Sequence, residues 1–293
     1  MYSRQSPRLP KAGEETQKIQ HLKYDDFRTF SLSLRSLARR RIDIAYFSCV
    51  SASEFSLISD DTKRDVKSAK FSYNYLTQTL VVRMPGVRHE ELISLFRSAL
   101  ERQLSTMDVL DEYVILGSPL TRIGNFAKEP DACWVTESLG KITLVLDTGI
   151  SETSRQLAVD AHGWLESSGS SVQSCLTMNL GPNSSVTIDV WARGAREYAN
   201  SPRHQSPYAM IVQHIELTRS DNGADVRGWT LNPDSSTSFT DVLVLDFELF
   251  TGRSPQKAIE KNVILDRNAL SNVALRFWKH ETRSQTSLGV IDS

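Results

Sequence analysis

The sequence predicts a mixed α+β domain: a central mixed sheet flanked by helices, sandwich-like, with extra strands toward the C-terminus. Three observations predict it. From about residue 89 to residue 180 the hydrophobic pattern runs helix, strand, strand, strand, helix, strand. The run Lys141-Ile-Thr-Leu-Val-Leu-Asp147 is apolar on both faces apart from Thr143, as suits a buried central strand. Beyond Leu180 the chain alternates in short runs bounded by turn residues, which reads as further strands.

Taken in order, residues 1–23 are rich in Ser, Pro, Lys, Glu and Gln and read as a mobile tail. A helix is expected from Tyr24 to Arg39, with Phe27, Phe30, Leu34 and Leu37 as its apolar stripe. It ends in Arg39-Arg40-Arg41, read as a solvated helix end or as a phosphate contact or nuclear address. Ile42 to Val50 is strand-like, and Ala69 to Pro85 reads as a hairpin. A long helix from about His89 to Met107 puts Leu92, Leu95, Phe96, Ala99, Leu100 and Leu104 on one face.

Strands are then expected at Tyr113–Leu116, up to Val135, and at Ile142–Asp147. A helix from about Ser154 to Ser167 follows, opened by a Thr153/Gln156 capping box and stopped at Gly169. Val172–Leu180, Val186–Trp191, Tyr208–Leu217, Trp229–Leu231 and Asp241–Phe250 read as strands, and Arg267–Lys279 as a helix. The expected organisation is one domain over 24–280, its core about 86–182, and a C-terminal tail over 281–293.

The chain has 293 residues, 40% hydrophobic and 24% charged, enough to bury a core without disulfide or metal staples. A formal net charge of −1 gives no whole-surface attraction to nucleic acid, so any basic footprint is local. The 3 cysteines, Cys49, Cys133 and Cys175, are scattered and form no CxxC pair, which fits a reducing compartment. There is no apolar signal core, and no run nears the roughly 18 residues of a membrane span. An intracellular protein, cytoplasmic or nuclear and without a membrane, is the expectation; the sequence sets no oligomeric state.

Lys128-Glu129-Pro130-Asp131 precedes one strand and Asp147 closes the next. Two acids at neighbouring strand positions are a way to hold a divalent metal. Each also has a purely structural reading: Asp131 as a turn or capping residue, and Asp147 as an acceptor for the turn from Gly149 to Ser151. His89, His162 and His214 stand alone, with no zinc spacing. Ser151 and Ser154 lack a nucleophile-elbow frame, and there is no Gly-rich phosphate loop. Trp134, Trp164 and Trp191 read as packing. A second Pro-Asp, Pro233-Asp234, precedes Asp246-Phe247-Glu248 but lacks a following capped helix, and reads as coincidence.

The order of these motifs resembles the PD-(D/E)XK nuclease superfamily, the restriction-endonuclease-like fold. More closely it is similar to a fungal group of uncharacterised proteins related to bacterial restriction endonucleases. The matching segments are Met84-Pro85 with His89-Glu90, Pro130-Asp131, Asp147-Thr-Gly149-Ile-Ser151-Glu152-Thr153, Asp160-Ala161-His162-Gly163-Trp164 and Gly252-Arg253-Ser254-Pro255. They span roughly Ile42 to Trp278.

The resemblance implies a metal-dependent endonuclease acting on nucleic acid. Asp131, Asp147 and the carbonyl of Thr148 would hold Mg or Mn, whose hardness suits oxygen ligands. A long-helix glutamate would assist: Glu91, with Glu90 and Glu101 as alternatives. Two departures stand out. Asp147 replaces an expected Glu, shortening its reach, and Gly149 stands where the superfamily carries lysine. Lys128, three residues before Asp131, or Arg155 or Gln156 at the next helix start, are candidate substitutes for that lysine. Lys141 lies too far along its strand. Arg83, Arg88, Arg97 and Arg102 are candidates for a local basic groove. The alternatives are a nuclease-fold binding or interaction module that no longer cleaves, and an interaction protein of unrelated α+β fold.

Overall fold

The structure, a computed structural model, describes residues 18–138, 140–150, 154–194, 208–221 and 223–288. Its first part holds β1 (Ile19–Lys23), α1 (Phe27–Arg39), β2 (Ile44–Ser48), α2 (Ala52–Ile58), β3 (Lys70–Asn74) and β4 (Thr79–Arg83). Next come α3 (Val87–Thr106), β5 (Tyr113–Leu116), β6 (Thr121–Ile123), β7 (Phe126–Lys128), β8 (Ala132–Thr136), β9 (Lys141–Ile150), α4 (Ser154–Glu166) and β10 (Ser174–Leu180). The remainder is β11 (Val186–Gly194), β12 (Tyr208–Ser220), β13 (Gly223–Leu231), β14 (Thr237–Thr240), β15 (Leu243–Leu245), α5 (Phe247–Thr251), β16 (Val263–Leu265) and α6 (Arg267–Leu288).

The fold class is the expected one, a mixed α+β architecture. A mixed eight-stranded sheet runs β14-β13-β12-β11-β10-β9-β8-β5. Within it, β5, β8 and β9 pair antiparallel in turn and β10 pairs parallel to β9 after the α4 crossover. With α3 in front, this is the helix-strand-strand-strand-helix-strand order of a restriction-endonuclease-like core. The additional C-terminal strands β11 to β14 extend the same sheet.

β9 is buried on both faces because both faces are apolar. Leu144 and Leu146 pack with Leu92, Phe96, Ala99 and Leu100 of α3 and with Phe277 of α6. Val145 packs on the other side with Ala161, Trp164 and Leu165 of α4. Since side chains alternate along a strand, Asp147 points to the α4 side with Val145, and Thr148 to the α3 side.

A second sheet of six strands runs β1-β2-β4-β3-β7-β6. Helices α1 and α2 cover one face through Phe30, Leu34, Leu37 and Phe55, against Phe47, Phe71, Tyr73, Leu80 and Val82. The β6–β7 hairpin is an excursion: the chain leaves the large sheet after β5, adds two strands to the six-stranded sheet, and returns in β8.

Several boundaries differ from expectation. Ile19–Lys23, expected as tail, pairs parallel with β2. The first helix starts at Phe27, because Asp26 caps it by accepting from the Thr29 backbone N–H. Asp241–Phe250 is not one strand: Asp246 accepts from Leu249 N and caps α5, and Gly252 at φ 73° ends it. The last helix runs on to Leu288, into the expected C-terminal tail. Helix α2 and strands β6, β7, β14 and β16 were not expected. Residues 1–17, the capping-box residue Thr153 with Ser151 and Glu152, and residues 289–293 lie outside the described residues. No helix among the described residues is long and apolar enough to cross a membrane.

Candidate active site

The chain crosses from β7 to β8 in the span Glu129–Asp131, and this crossing builds the site. Glu129 pins it to β3: its backbone N–H bonds Phe71 O at 3.0 Å and its carboxylate accepts from Phe71 N at 2.8 Å. Arg64 completes the anchor, 2.5 Å from the Glu129 carboxylate and over the Phe71 ring. On the other side, Asp131 N bonds Leu146 O of β9 at 3.0 Å. Lys128 and Asp131 are thereby fixed on opposite sides of the gap between the sheets.

Lys128 points into that gap. Its ammonium lies 2.5 Å from Asp147 Oδ2 and 2.6 Å from Asp160 Oδ2. Trp164 Nε1 donates to the same Asp147 oxygen at 2.7 Å. Asp160 and Trp164 are four residues apart on α4, so they share a helix face, and both turn toward β9. Arg83 at the end of β4 reaches Asp160 at 3.4 Å, and Gln156 Nε2 donates to Asp160 Oδ1 at 3.4 Å. Lys128 is 1% exposed and Asp147 0%, so their mutual pairing replaces the solvation both have lost. Close packing permits this approach. A Cβ at Gly163 would stand 3.1 Å from Phe126 Cζ, and Phe126 of β7 rests edge-on against Trp164.

Asp131 sits on the α3 side. Its Oδ2 accepts from the Thr148 backbone N–H at 2.6 Å and from His89 Nε2 at 3.0 Å. His89 Nε2 also lies 3.1 Å from the Thr148 carbonyl. Both neighbours of Nε2 are acceptors, so Nε2 carries the proton. The imidazole therefore bridges two of the oxygens expected to hold a metal.

Burial alone would pull the His89 pKa down, but the Asp131 charge and hydrogen bond, with Glu90 beyond, raise it to about 10. The Glu90 carboxylate stands 3.6 Å from His89 Nδ1, outside hydrogen-bond distance. Burial would raise the Asp131 carboxyl, and the His89 charge, Arg83 and the Thr148 N–H outweigh it, so Asp131 is held well below the usual carboxylate range. Asp147 is pushed up, first by burial and then by its acidic neighbours Asp160 and Asp131, with Lys128 and Arg83 opposing.

Among the described residues, no group of three or more His, Cys, Asp or Glu is arranged to hold a metal. The oxygen donors nevertheless suit a hard divalent cation in kind. Asp147 Oδ1 and Thr148 Oγ1 are buried without a hydrogen-bond partner among the described residues, and so is His89 Nδ1. The two oxygens lie on opposite faces of β9, and each is an atom that a cation or ordered water would satisfy. A cation taking Asp131 Oδ2 and the Thr148 carbonyl must displace His89 Nε2.

Of the residues singled out from the sequence, Lys128 and Asp147 are brought into contact, with Gln156 joining through Asp160, and Asp131 meets the Thr148 backbone on the other side of β9. Glu91 is not brought there: its carboxylate pairs with His280 of α6 at 2.9 Å. His89 is what α3 delivers instead, and two positions along a helix turn a side chain by roughly 200°. Glu101 pairs with Arg97 at 3.3 Å, and Arg155 is exposed. Lys141 is exposed at the far end of β9. In the second Pro-Asp segment, Asp234 holds an exposed turn through Ser236. His89, Asp160 and Trp164 were missed as site residues; their one signal was membership of the His89-Glu90 and Asp160-to-Trp164 segments.

No family model matches the chain, and no curated protein matches it. Among solved structures the chain is similar to a candidate nuclease belonging to DUF820 from Anabaena variabilis, with 10% identity and a TM-score of 0.34 over 53% of this chain and 90% of that one. It is also similar to the type IIG restriction endonuclease BpuSI, with 15% identity and a TM-score of 0.27 over 41% of this chain. That match spans 13% of the BpuSI chain. The fold assignment rests on the strand order above.

Proposed function

We propose that the chain is a metal-dependent nuclease that hydrolyses phosphodiester bonds in nucleic acid. One observation carries the reading: two buried acids stand around the end of β9, Asp147 paired with the Lys128 ammonium on the α4 side and Asp131 bonded to the Thr148 N–H on the α3 side. Asp131, Asp147 and Thr148 O would hold one Mg or Mn ion. Such an ion lowers the pKa of a coordinated water and stabilises charge growing on phosphoryl oxygens.

The chain's own residues act around that point. Lys128 supplies from β7 the positive charge that Gly149 cannot supply from β9, and it holds Asp147 in place together with Trp164. Gln156 and Arg83 orient Asp160, the second carboxylate on Lys128. His89 occupies the Asp131 side and keeps that carboxylate ionised.

A second reading has its own observation. His89 and Lys128 already neutralise both acids, as in a nuclease fold that binds without cleaving. Incubation of plasmid, single-stranded DNA and RNA with Mg or Mn separates the two, with wild type beside Asp131→Ala and Asp147→Ala. Metal-dependent cleavage lost in both variants establishes the nuclease. No cleavage of any substrate by wild type, with no metal response, leaves the binding module.

A further inference from the structure

The six-stranded sheet turns one face away from α1 and α2. Across it runs a single line of register partners: His21 beside Tyr46, Tyr46 beside Val81, Val81 beside Ser72, and Ser72 beside Lys128. Lys128 ends that line inside the candidate site. At the other end His21 is exposed and its ring stacks on Tyr46, 4.8 Å between centroids with 10° between planes. Four strand spacings at about 4.8 Å put this stack roughly 19 Å from Lys128.

The same face is basic. Two residues along the strands from that line, Lys23 lies beside Ser48 on one side of it, and Arg83 lies beside Lys70 on the other. Side chains alternate, so His21, Lys23, Lys70, Arg83 and Lys128 share this face. No Asp or Glu of these strands does, among the described residues. Asp147 and Asp160 meet Lys128 from β9 and α4, and Asp160 also meets Arg83, so the excess of this face rests on Lys23 and Lys70. A pocket between the face and α4 continues it toward the site, lined among others by Tyr46, Ser72, Val81, Arg83, Gln156 and Asp160.

We propose that this face is a binding track for a single nucleic-acid strand, with one unpaired base on the His21–Tyr46 stack and the backbone along the basic residues toward Lys128. The inference rests on the nucleic-acid reading above and deepens it. An aromatic stack accepts a base only by its π-face, which a duplex keeps within its own stack; a basic surface follows the phosphates. The two together select a single strand over a duplex. Arg83, shared with Asp160, lies where the track meets the site.

The test is fluorescence anisotropy of a labelled oligo-dT in EDTA, so that binding is read apart from cleavage. His21→Ala with Tyr46→Leu weakens binding about tenfold. Lys23→Glu, at an exposed position, weakens it further and flattens its salt dependence. A duplex of the same length binds more weakly than the single strand. His21→Ala alone carries the test should Tyr46→Leu fail to fold. Wild-type affinity in variants with unchanged unfolding midpoints overturns the track, as does tighter binding of duplex, or no binding of oligonucleotide at all. A wild type that never cleaves yet binds through His21 supports the track and sinks the nuclease reading. Cleavage lost in Asp131→Ala, with binding indifferent to His21, Tyr46 and Lys23, does the reverse.

Discussion

Lys128 and Asp147 come from different sheets and meet at 2.5 Å with no exposed surface to speak of, 1% for the lysine and 0% for the aspartate. Removing one member of such a pair strands a charge in the interior. Lys128→Met is therefore expected to lower the free energy of unfolding by about 3–5 kcal/mol. Urea denaturation reads it. Adding Asp147→Asn should cost less than the sum of the two single changes, because the Asp147 charge is no longer stranded and Asp160 keeps Arg83 as a partner. Strict additivity would mean that the two side chains do not depend on each other.

Trp164 donates to the Asp147 oxygen that Lys128 also holds. Trp164→Phe keeps most of the ring and deletes the donor. The expected loss is about 1.5–3 kcal/mol, the worth of a hydrogen bond to a charged group. A denaturation midpoint equal to wild type would show that the indole serves only as packing.

His89 and a divalent cation compete for the same oxygens, Asp131 Oδ2 and the Thr148 carbonyl. His89→Ala leaves both unclaimed by imidazole. Manganese affinity measured by calorimetry is then expected to rise about tenfold, equivalent to about 1.4 kcal/mol. If affinity falls instead, His89 helps to hold the metal rather than keeping it out.

Away from the site, Arg253 links Glu112 and Glu260 with hydrogen bonds to both carboxylates. The Arg253 bonds and the Gln256 N–H hold the Glu260 carboxyl down at about 2, from an ordinary 4.5. A depressed carboxyl stabilises the fold above its unfolded pKa, and that stabilisation fades as pH falls through the folded one. The stability gap between wild type and Glu260→Gln is thus expected to be full at pH 6 and to shrink between pH 4.5 and 2. Thermal unfolding across that range measures it. A gap constant with pH would assign Glu260 a role other than its charge.

Legibility in the sequence followed chain distance. Asp131 and Asp147 are marked by apolar strands beside them, and Lys128 is tied to Asp131 by a three-residue span, so these could be named. His89 lies 42 residues from its partner Asp131, and a histidine with no local metal spacing gives no sign of what it will meet. The pair Asp160 and Trp164 is legible only as a motif, because its meaning depends on strands from two sheets. The apolar alternation of Leu243, Leu245, Phe247 and Leu249 imitates a strand, and a capping bond from Asp246 overrides it. β1 lacks any apolar run and owes its strand to pairing with β2, a tertiary gain over propensity.

The crossing at Glu129–Asp131 acts as a ruler. Its near end is fastened to β3 by Glu129 and its far end to β9 by the Asp131 N–H. One inserted residue would lengthen it by about 3.3 Å and invert which way Lys128 or Asp131 points. One of the two carboxylates, Asp147 or Asp131, would then lose its cation, though no site residue had been replaced. Spacing in this segment is as much a part of the chemistry as the identity of the acids, and chains with the same acids but a longer crossing would have to find their positive charge elsewhere.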